Sequence, residues 1–375
     1  MAKLKRNADV SESIREVAES EVYEAIKVVP RFDYLVHTNS TLLDCAISGG
    51  RVHGGGIPGG ILVEIYGPSG MGKTAVAVEI GSNAQSKGGT VRFNDPEGRL
   101  DRDYAQYYGL SLQDKDYLKS RTVEAAMEDI EKWMNQKLSN DFVHVYVCDS
   151  LAALSTAQEM GDSGDKVGAA RAKMFSQWLR KLAGMISDQN RLVVCTNQIR
   201  QNVQIGPIRT GPAEITGGGE AIKFYSSLRL RIGPQAGGHK INIQRTVRGH
   251  QVEKVVGIRS NITVVKSSVD DPYREAPIVI MFKLGLDNVR ANLEYCQDFY
   301  ELKTEMVDGK EVKEKTKKFW IGDKTYAMLQ PAIKYVEDNN LEKELAEQTI
   351  SLFKEVEAAF ETPRKPRTSY PPVID

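Results

Sequence analysis

Residues 61–74 read ILVEIYGPSGMGKT, and this stretch decides the fold. An apolar run of strand length leads into residues 67–74, which match the pattern G-x-x-x-x-G-K-[ST]. In a loop of this kind, backbone N–H groups and the N-terminus of the next helix surround phosphate oxygens. A helical pattern follows to about residue 86, so the strand and the helix that the motif requires are both present. The stretch therefore predicts a site for the phosphates of a nucleotide.

The residue types in this loop indicate how such a site would work. We expect the Lys73 ammonium to reach the β- and γ-phosphate oxygens and the Thr74 hydroxyl to ligate Mg²⁺. Asp149 follows the apolar run 142–148 and is the candidate for the second Mg²⁺ contact; the alternative is an ordinary turn residue at a strand end. The residues predicted to bind the nucleotide here are Gly67, Pro68, Ser69, Gly70, Met71, Gly72, Lys73, Thr74 and Ala75.

A nucleotide hydrolase also needs a group that orients or deprotonates the attacking water. Glu97, in the segment FNDPEG after the second predicted strand, is the candidate for that role. The carboxyl ends of parallel strands gather at one crevice, so Glu97, Asp149 and the phosphate loop are expected to converge. The alternative is a solvated glutamate in a turn.

Outward from the phosphate loop, apolar strands alternate with helices. The predicted strands are 61–66, 90–94, 142–148 and 191–196, and the predicted helices are 10–28, 72–86, 121–136 and 171–188. Continuous apolar strands between helices predict an α/β fold with a mostly parallel, twisted sheet that helices cover on both faces. The later segments SLRLRI, HKINIQ, NITVVK and PIVIMF predict further strands that extend this sheet.

The composition is typical of a globular protein without membrane or secretion signals. The apolar runs are no longer than a strand, which excludes a membrane span, and no apolar segment follows the basic start. The cysteines lack metal-ligand spacing, and Cys148 and Cys195 lie in apolar strands, as is typical of reduced thiols in a cytoplasm. The net charge of zero argues against nucleic-acid binding, but residues 221–250 carry six Lys or Arg and no acid.

The order and spacing of several segments resemble one family, the RecA recombinases, and most closely its bacterial and phage branch. The likeness spans about residues 38–330, and the segments that carry it are VEIYGPSGMGKT (63–74), DPEGRLDRDYA (95–105), CDSLAAL (148–154), RKLAG (180–184), TNQIR (196–200) and TGGGEAIKFYSSLRL (216–230). The resemblance implies a RecA-like P-loop NTPase core at 38–285, an N-terminal polymerisation helix within 1–37 and a small C-terminal α/β domain at 286–360. A basic tail that we expect to be disordered, 361–375, completes this division.

The resemblance also implies an activity: ATP and Mg²⁺ drive a helical filament on single-stranded DNA, which pairs with homologous double-stranded DNA and exchanges strands. It places the protein in the cytoplasm of a bacterium or of a phage-infected host, with single-strand-binding and loader proteins as further candidate partners. By the same resemblance Glu97 is the catalytic glutamate, Gln198 senses the γ-phosphate, and Asp101 and Tyr104 contact the adenine. For Tyr104, the alternative is a tyrosine on a helix face.

Two glycine-rich segments, 158–170 and 201–219, match the DNA-binding loops of the family. Glycines allow a backbone to approach phosphates closely, and basic side chains supply the charge. The residues expected to contact DNA are Lys166, Arg171, Arg200, Val203, Ile205, Arg209, Gly217 and Gly218. The alternative is a pair of ordinary mobile loops.

Positions at the predicted subunit interface follow from the resemblance as well. Phe224 would pack against the neighbouring subunit and Lys223 would couple the sites; the alternative for Phe224 is a core aromatic. Lys266 matches the first of two lysines that reach the neighbour's ATP, but Ser268 stands at the second position. This departure keeps a non-catalytic recombination mediator open beside the recombinase, and a ring-forming, helicase-like motor is the other alternative.

Overall fold

The structure, a computed structural model, describes residues 31–157, 167–187, 189–201, 214–216, 219–302, 304–307, 310–314 and 316–361. The predicted helix at 10–28 and all of the predicted basic tail beyond its first residue lie outside these ranges.

The first part of the chain alternates strands and helices, as predicted. Its elements are β1 (Arg31–Val36), α1 (Thr41–Ser48), β2 (Ile57–Gly59), β3 (Ile61–Gly67), α2 (Lys73–Ser86), β4 (Val91–Asn94), α3 (Arg102–Ala105), β5 (Tyr117–Leu118), α4 (Val123–Met134), β6 (His144–Cys148), α5 (Val167–Ser187) and β7 (Arg191–Gln201). Helices α1 and α4 begin where hydroxyl groups cap them. Ser40 Oγ accepts from the Leu43 N–H at 3.3 Å, and Thr122 Oγ1 accepts from the Ala125 N–H at 3.2 Å.

The second part is rich in strands and ends in helices. Its elements are β8 (Glu214–Thr216), α6 (Gly219–Tyr225), β9 (Leu228–Pro234), β10 (Lys240–Val247), β11 (His250–Ser267), β12 (Glu275–Met281), β13 (Gly285–Leu286), α7 (Asn288–Asp298), β14 (Thr304–Val307), β15 (Lys310–Lys313), β16 (Phe319–Ile321), β17 (Lys324–Tyr326), α8 (Leu329–Asp338) and α9 (Glu342–Ala359).

One large sheet organises the molecule, with the strand order β13-β12-β11-β9-β3-β7-β6-β4-β5. From β9 to β5 neighbouring strands run parallel, whereas β11, β12 and β13 pair antiparallel. This arrangement confirms the predicted mostly parallel sheet and the extension of that sheet by the later strands. Strands β3, β7, β6 and β4 bring their carboxyl ends to one edge, where the predicted site residues follow them.

Helices cover both faces of this sheet. On one face, Val63 and Ile65 of β3 pack in the same core as Ile80 of α2. On the other face, Leu62 packs with Trp178 of α5, and Leu182 and Ile186 of the same helix are buried there as well. Burial on both faces is the reason that β3 reads as a continuous apolar run rather than an alternating one.

The C-terminal boundary of the predicted loop at 158–170 is placed too late in the chain. Residues 167–170 already belong to helix α5. These four residues continue the pattern of a helix with a strongly apolar side, and glycine at 168 costs only about 1 kcal/mol there.

The predicted loop at 201–219 is likewise shorter, because strands enter it from both sides. Strand β7 continues through Gln201, and residues 199–201 pair antiparallel with residues 214–216 of β8. This ladder satisfies the backbone hydrogen bonds of both segments.

The C-terminal residues form a separate apolar cluster. Helices α7, α8 and α9 and strand β16 contribute to it, through Leu293, Ile321, Val336 and Leu345 among others. Helix α9 also packs against α1, where Phe353 lies beside Cys45. All four cysteines are buried and unpaired. In the part of the chain that the structure describes, no helix has both the length and the apolar character to span a membrane.

Candidate functional site

A cavity of about 400 Å³ lies at the carboxyl edge of the sheet, beside the start of α2. Among the residues predicted from the sequence, those that line it are Ser69, Gly70, Gly72, Lys73, Thr74, Ala75, Glu97, Asp101, Tyr104, Asp149 and Gln198. Gly67, Pro68 and Met71 belong to the same phosphate loop but do not line the cavity. The predicted convergence of three strand ends is therefore present in the fold.

Glycines give the phosphate loop its shape. The φ angles of Gly70 and Gly72 are +76° and +97°, in the region that favours glycine. A Cβ atom at Gly72 would lie 2.1 Å from Ile280 Cδ1, so a side chain there would clash with the cavity wall, whereas the space beside Gly70 is open. The absence of a side chain at Gly72 thus lets the loop lie against the cavity wall, and Gly70 faces open space near the start of α2.

Lys73 is the buried cation of the loop. Its Nζ donates to the carbonyl oxygens of Gly67 at 3.1 Å and Pro68 at 2.7 Å. Burial lowers the pKa of the Lys73 ammonium, and the nearby carboxylates of Asp149 and Glu97 oppose that change. The arrangement holds one positive charge at the floor of the cavity.

Asp149 lies at the centre of a small group of oxygen atoms. The Thr74 hydroxyl donates to its Oδ2 at 2.6 Å, and the Thr196 hydroxyl donates to its Oδ1. Burial raises the pKa of the Asp149 carboxyl, while these two hydrogen bonds lower it. Thr74 and Asp149, the two residues predicted to hold Mg²⁺, are therefore in direct contact.

Three side chains hold the Glu97 carboxylate in place. Ser150 Oγ and Gln198 Nε2 both donate to Oε1, at 2.7 and 2.9 Å, and Arg99 Nη1 lies 2.9 Å from Oε2. Glu97 is thus a fixed carboxylate at the cavity wall rather than the solvated turn residue that was the alternative. Ser150, which follows Asp149 directly in the chain, thus contacts Glu97 and not the Asp149 carboxylate.

The far end of the cavity is mostly apolar and aromatic. Tyr104 contacts the rings of Tyr107 and Tyr108 at centroid distances of 5.6 Å, and its hydroxyl accepts from the Lys283 N–H at 3.3 Å. Asp101 caps helix α3, since its Oδ1 accepts from the Tyr104 N–H at 3.2 Å. A flat aromatic face beside a carboxylate suits a nucleotide base.

The sequence reasoning missed part of this site. Ile258, Ile280 and Phe282 form the apolar wall of the cavity. Ile280 and Phe282 lie in the segment PIVIMF, which was predicted only as an extension of the sheet, and Ile258 lies in β11 outside the predicted segments. Arg99 and Thr196 were not singled out, although Thr196 opens the segment TNQIR, and its position at a strand end was a usable signal.

Lys266 lies away from this cavity. Its Nζ donates to the carbonyl oxygens of Lys223 at 2.9 Å and Phe224 at 2.7 Å, at the C-terminal end of α6. Burial lowers the pKa of the Lys266 ammonium, and nearby Arg229 lowers it further. Phe224 is 75% exposed, so the alternative that it is a core aromatic is wrong.

Most of the predicted DNA contacts fall outside the described residues. Lys166, Val203, Ile205, Arg209, Gly217 and Gly218 lie there. The backbones of Arg171 and Arg200 are described, in α5 and β7.

The donor set fits a nucleotide triphosphate with Mg²⁺. The described residues contain no cluster of three or more His, Cys, Asp or Glu side chains that could hold a metal ion alone. Magnesium commonly binds through one or two protein oxygens together with substrate phosphates, and Thr74 with Asp149 offers such a pair. The glycine loop and Lys73 supply the donors and the charge that phosphates need.

Comparison with known proteins identifies the family. The family model of the RecA N-terminal domain matches residues 33–287. The chain is 36% identical over 256 residues to Protein RecA of Gluconobacter oxydans, covering 68% of each chain. It is 36% identical over 256 residues to Protein RecA of Thermus thermophilus, covering 68% of this chain and 69% of that protein. The chain belongs to the RecA family.

The residues matched by the RecA family model include all the segments that form the cavity. Residues 33–287 include the phosphate loop, the strand ends with Glu97, Asp149 and Gln198, and the wall formed by β11 and β12. The cluster of α7, α8 and α9 lies beyond the matched RecA range.

Proposed function

We propose that this RecA-family chain is an ATP-dependent DNA recombinase. It binds ATP with Mg²⁺, forms a helical filament on single-stranded DNA and catalyses homologous pairing and strand exchange with double-stranded DNA. The observation that carries this proposal is the hydrogen bond from Gln198 to Glu97. This bond joins the hydrolytic carboxylate to the strand that leads into the second predicted DNA loop.

The hydrolytic step uses Glu97 as the base. Glu97 orients a water molecule toward the γ-phosphorus and accepts its proton as the new P–O bond forms and the bond to the leaving diphosphate oxygen breaks. Lys73 stabilises the negative charge on the phosphate oxygens. Mg²⁺, held by Thr74 and Asp149, would neutralise further phosphate charge when it is bound.

Gln198 connects this chemistry to DNA. It precedes the end of β7 by three residues, and the segment 202–213 follows that strand. A neutral amide can donate either to Glu97 or to a γ-phosphate oxygen, so hydrolysis changes the partner of Gln198. A contact that differs between two nucleotide states is sufficient to bias a two-state loop.

Assembly into a filament has support at α6. Phe224 is exposed beside Tyr225, with ring centroids 5.0 Å apart, and an exposed aromatic of this size suits burial by a neighbouring subunit. We propose that Lys223 and Phe224 lie at that interface and that Lys266 reaches the neighbour's ATP. The core at 38–285 would carry these functions in the cytoplasm, with 1–37 for polymerisation and 286–360 as an accessory domain.

The decisive experiment measures ATP hydrolysis with and without single-stranded DNA, together with electron microscopy of the assemblies. We expect hydrolysis that DNA stimulates, open helical filaments that require nucleotide, and strand exchange between homologous DNAs. Lys73→Ala should abolish turnover, whereas Lys132→Ala, an exposed lysine of α4, should not. Closed rings that translocate would instead identify a helicase-like motor, and DNA binding with negligible hydrolysis would identify a mediator.

A further inference from the structure

Strands β10 and β11 form a hairpin that projects beyond the sheet. Val247 pairs with His250, and Arg248 and Gly249 form the two-residue turn, with φ angles of +50° and +83°. Two positive φ angles are typical of a type I′ turn, whose twist matches that of a hairpin. Every residue from 244 to 254 is exposed, so the outer half of this hairpin packs on nothing that the structure describes.

The two faces of the hairpin differ in charge. Residues that pair directly across two strands share a face, and successive pairs alternate between faces. One face carries the pairs Ile243 with Lys254, Arg245 with Val252, and Val247 with His250. We call this the basic face; it has no acidic residue.

In the outer half of the hairpin, residues 244–254, the opposite face is neutral or acidic. It carries the pairs Thr246 with Gln251 and Gln244 with Glu253. Glu253 is the first acidic residue after Glu220, and it lies on the side away from Arg245 and Lys254. Of the basic residues at 221–250, Arg245 lies on the basic face and Arg248 lies in the adjoining turn, whereas Lys240, nearer the sheet, lies on the opposite face.

The basic face is available for a partner. Arg245, Arg248 and Lys254 form no ion pair with any residue in the described ranges. Val247 and Val252, on the same face, are 55% and 47% exposed. Uncompensated cations on a projecting element raise the local concentration of a polyanion, and apolar side chains among them add contact area.

We infer that the basic face of the β10–β11 hairpin binds double-stranded DNA, an inference that rests on the proposed function for its choice of partner. A two-stranded β-ribbon fits the major groove of B-DNA. Lys254 and Arg245 on this face, together with Arg248 in the turn, span about 13 Å along the ribbon, given the rise per residue of a strand, so they can reach several phosphates. Valine side chains can contact the methyl groups of thymine.

A single strand fits this surface less well. Proteins that bind single strands stack bases on aromatic side chains, and residues 240–258 contain no Phe, Tyr or Trp. The same strand β11 continues to Ile258 at the nucleotide cavity, and Ser260 Oγ donates to the Met71 carbonyl of the phosphate loop at 2.9 Å. The test therefore uses residues of the outer half of the hairpin, far along the strand from the cavity.

The test compares two triple variants of the full chain. The first replaces the cations, Arg245→Gln, Arg248→Gln and Lys254→Gln; the second replaces the opposite face, Gln244→Ala, Thr246→Ala and Gln251→Ala. Binding of a fluorescent duplex and of a single strand of the same length is measured as the salt concentration is varied. Hydrolysis of ATP stimulated by single strands is measured in parallel.

The first variant should bind the duplex about tenfold more weakly or worse, and the slope of log affinity against log salt should become shallower by about 2–3. Its affinity for single strands and its stimulated ATP hydrolysis should match the wild type, as should every property of the second variant. Unchanged duplex binding would overturn the inference, as would an equal loss for both DNAs.

Two other outcomes separate this inference from neighbouring explanations. If the first variant keeps duplex binding but loses binding to a synthetic polyglutamate peptide, the face binds an acidic protein and the inference is wrong. If the wild type itself shows no DNA-stimulated hydrolysis, the proposed function fails. The duplex affinities of the two variants and of the wild type still show whether the hairpin binds double-stranded DNA. Since all substituted residues are exposed, circular dichroism of both variants should match the wild type. If the first variant is misfolded, Arg248→Gln alone should still weaken duplex binding.

Discussion

The side-chain amide of Gln198 donates a 2.9 Å hydrogen bond to Oε1 of Glu97, and Ser150 Oγ donates to the same oxygen at 2.7 Å. The two donors differ in where their backbones lead. Ser150 follows β6 directly after Asp149, whereas Gln198 lies on β7, which ends beside the second predicted DNA loop. The pair therefore offers a way to separate hydrolysis from its response to DNA.

Gln198→Ala should remove the stimulation of ATP hydrolysis by DNA, because the contact between β7 and the carboxylate is lost. Ser150→Ala removes the other hydrogen bond to the same oxygen and should lower turnover while leaving the ratio of stimulated to basal hydrolysis intact. Steady-state rates with and without single-stranded DNA measure both. Equal loss of stimulation in the two variants would show that Gln198 acts only by holding Glu97.

Glu97→Gln should lower the maximal rate of ATP hydrolysis by about 10²–10⁴-fold, as expected when a general base is removed. Nucleotide affinity should stay near that of the wild type, since the amide introduced by this substitution keeps an oxygen that can accept from Ser150 and Gln198. Single-turnover hydrolysis and equilibrium binding of a fluorescent ATP analogue give the two quantities. The control is Glu128→Gln on the exposed side of α4; a rate for Glu97→Gln as high as that of this control would exclude Glu97 as the base.

Tyr104→Ala should raise the KM for ATP by about tenfold, because stacking of a base on an aromatic ring is worth about 1–3 kcal/mol. Tyr104→Phe keeps the ring and loses only the oxygen that accepts from the Lys283 N–H at 3.3 Å, so its KM should lie close to the wild-type value. Hydrolysis rates over a range of ATP concentrations distinguish the two. An equal rise for both variants would assign the role to the hydroxyl rather than to the ring face.

The buried ion pair of Glu64 and Arg229 should behave differently from a surface pair. Arg229 Nε lies 2.6 Å from Glu64 Oε2, and Asn197 donates to Glu64 Oε1 at 2.9 Å. Glu64→Gln leaves a buried cation unpaired and should lower the free energy of unfolding by about 3–5 kcal/mol, and adding Arg229→Met should restore most of it. Glu128→Gln breaks an exposed pair and should change stability by less than about 1 kcal/mol.

Urea unfolding of the wild type, of Glu64→Gln, of Glu64→Gln combined with Arg229→Met, and of Glu128→Gln measures these differences. If the double variant is no more stable than Glu64→Gln alone, packing around Arg229 rather than its uncompensated charge accounts for the loss.

Glu79 predicts a pH dependence of stability. Burial raises the pKa of its carboxyl above the ordinary value of 4.5, although hydrogen bonds from Asn39 and Leu286 lower it. The folded state then binds this proton more tightly than the unfolded chain, so the free energy of unfolding contributed by Glu79 falls as the pH rises from 4.5 through the folded-state pKa. Glu79→Gln cannot titrate and should gain stability relative to the wild type across that interval.

Unfolding midpoints of the two proteins at several pH values from 4.5 to neutrality test this prediction. Glu355→Gln, at an exposed position of α9, serves as the control. A difference between Glu79→Gln and the wild type that does not change with pH would contradict the prediction.

Local patterns were sufficient for the central sheet and the phosphate loop. The apolar run before Gly67 predicted β3, and the pattern ending at Lys73 and Thr74 predicted a phosphate site, because both depend on residues adjacent in the chain. The rule that parallel strands share a carboxyl edge then brought Glu97 and Asp149 to that site. The end of the first glycine-rich loop was placed wrongly because helix α5 begins at Val167. The bounds of the second were wrong because the pairing of β7 with β8 is a contact between distant residues.

By itself, then, the amino-acid sequence determined the fold class, the phosphate loop and the acidic residues at the strand ends, since short-range periodicity and motif chemistry encode them. Only the tertiary structure decided which donors hold Glu97, that β11 and β12 supply the apolar wall of the cavity, and that Lys266 contacts α6. It also decided that Arg245 and Lys254 share one face of the β10–β11 hairpin. These features depend on strand register and side-chain packing, which residues far apart in the chain settle together.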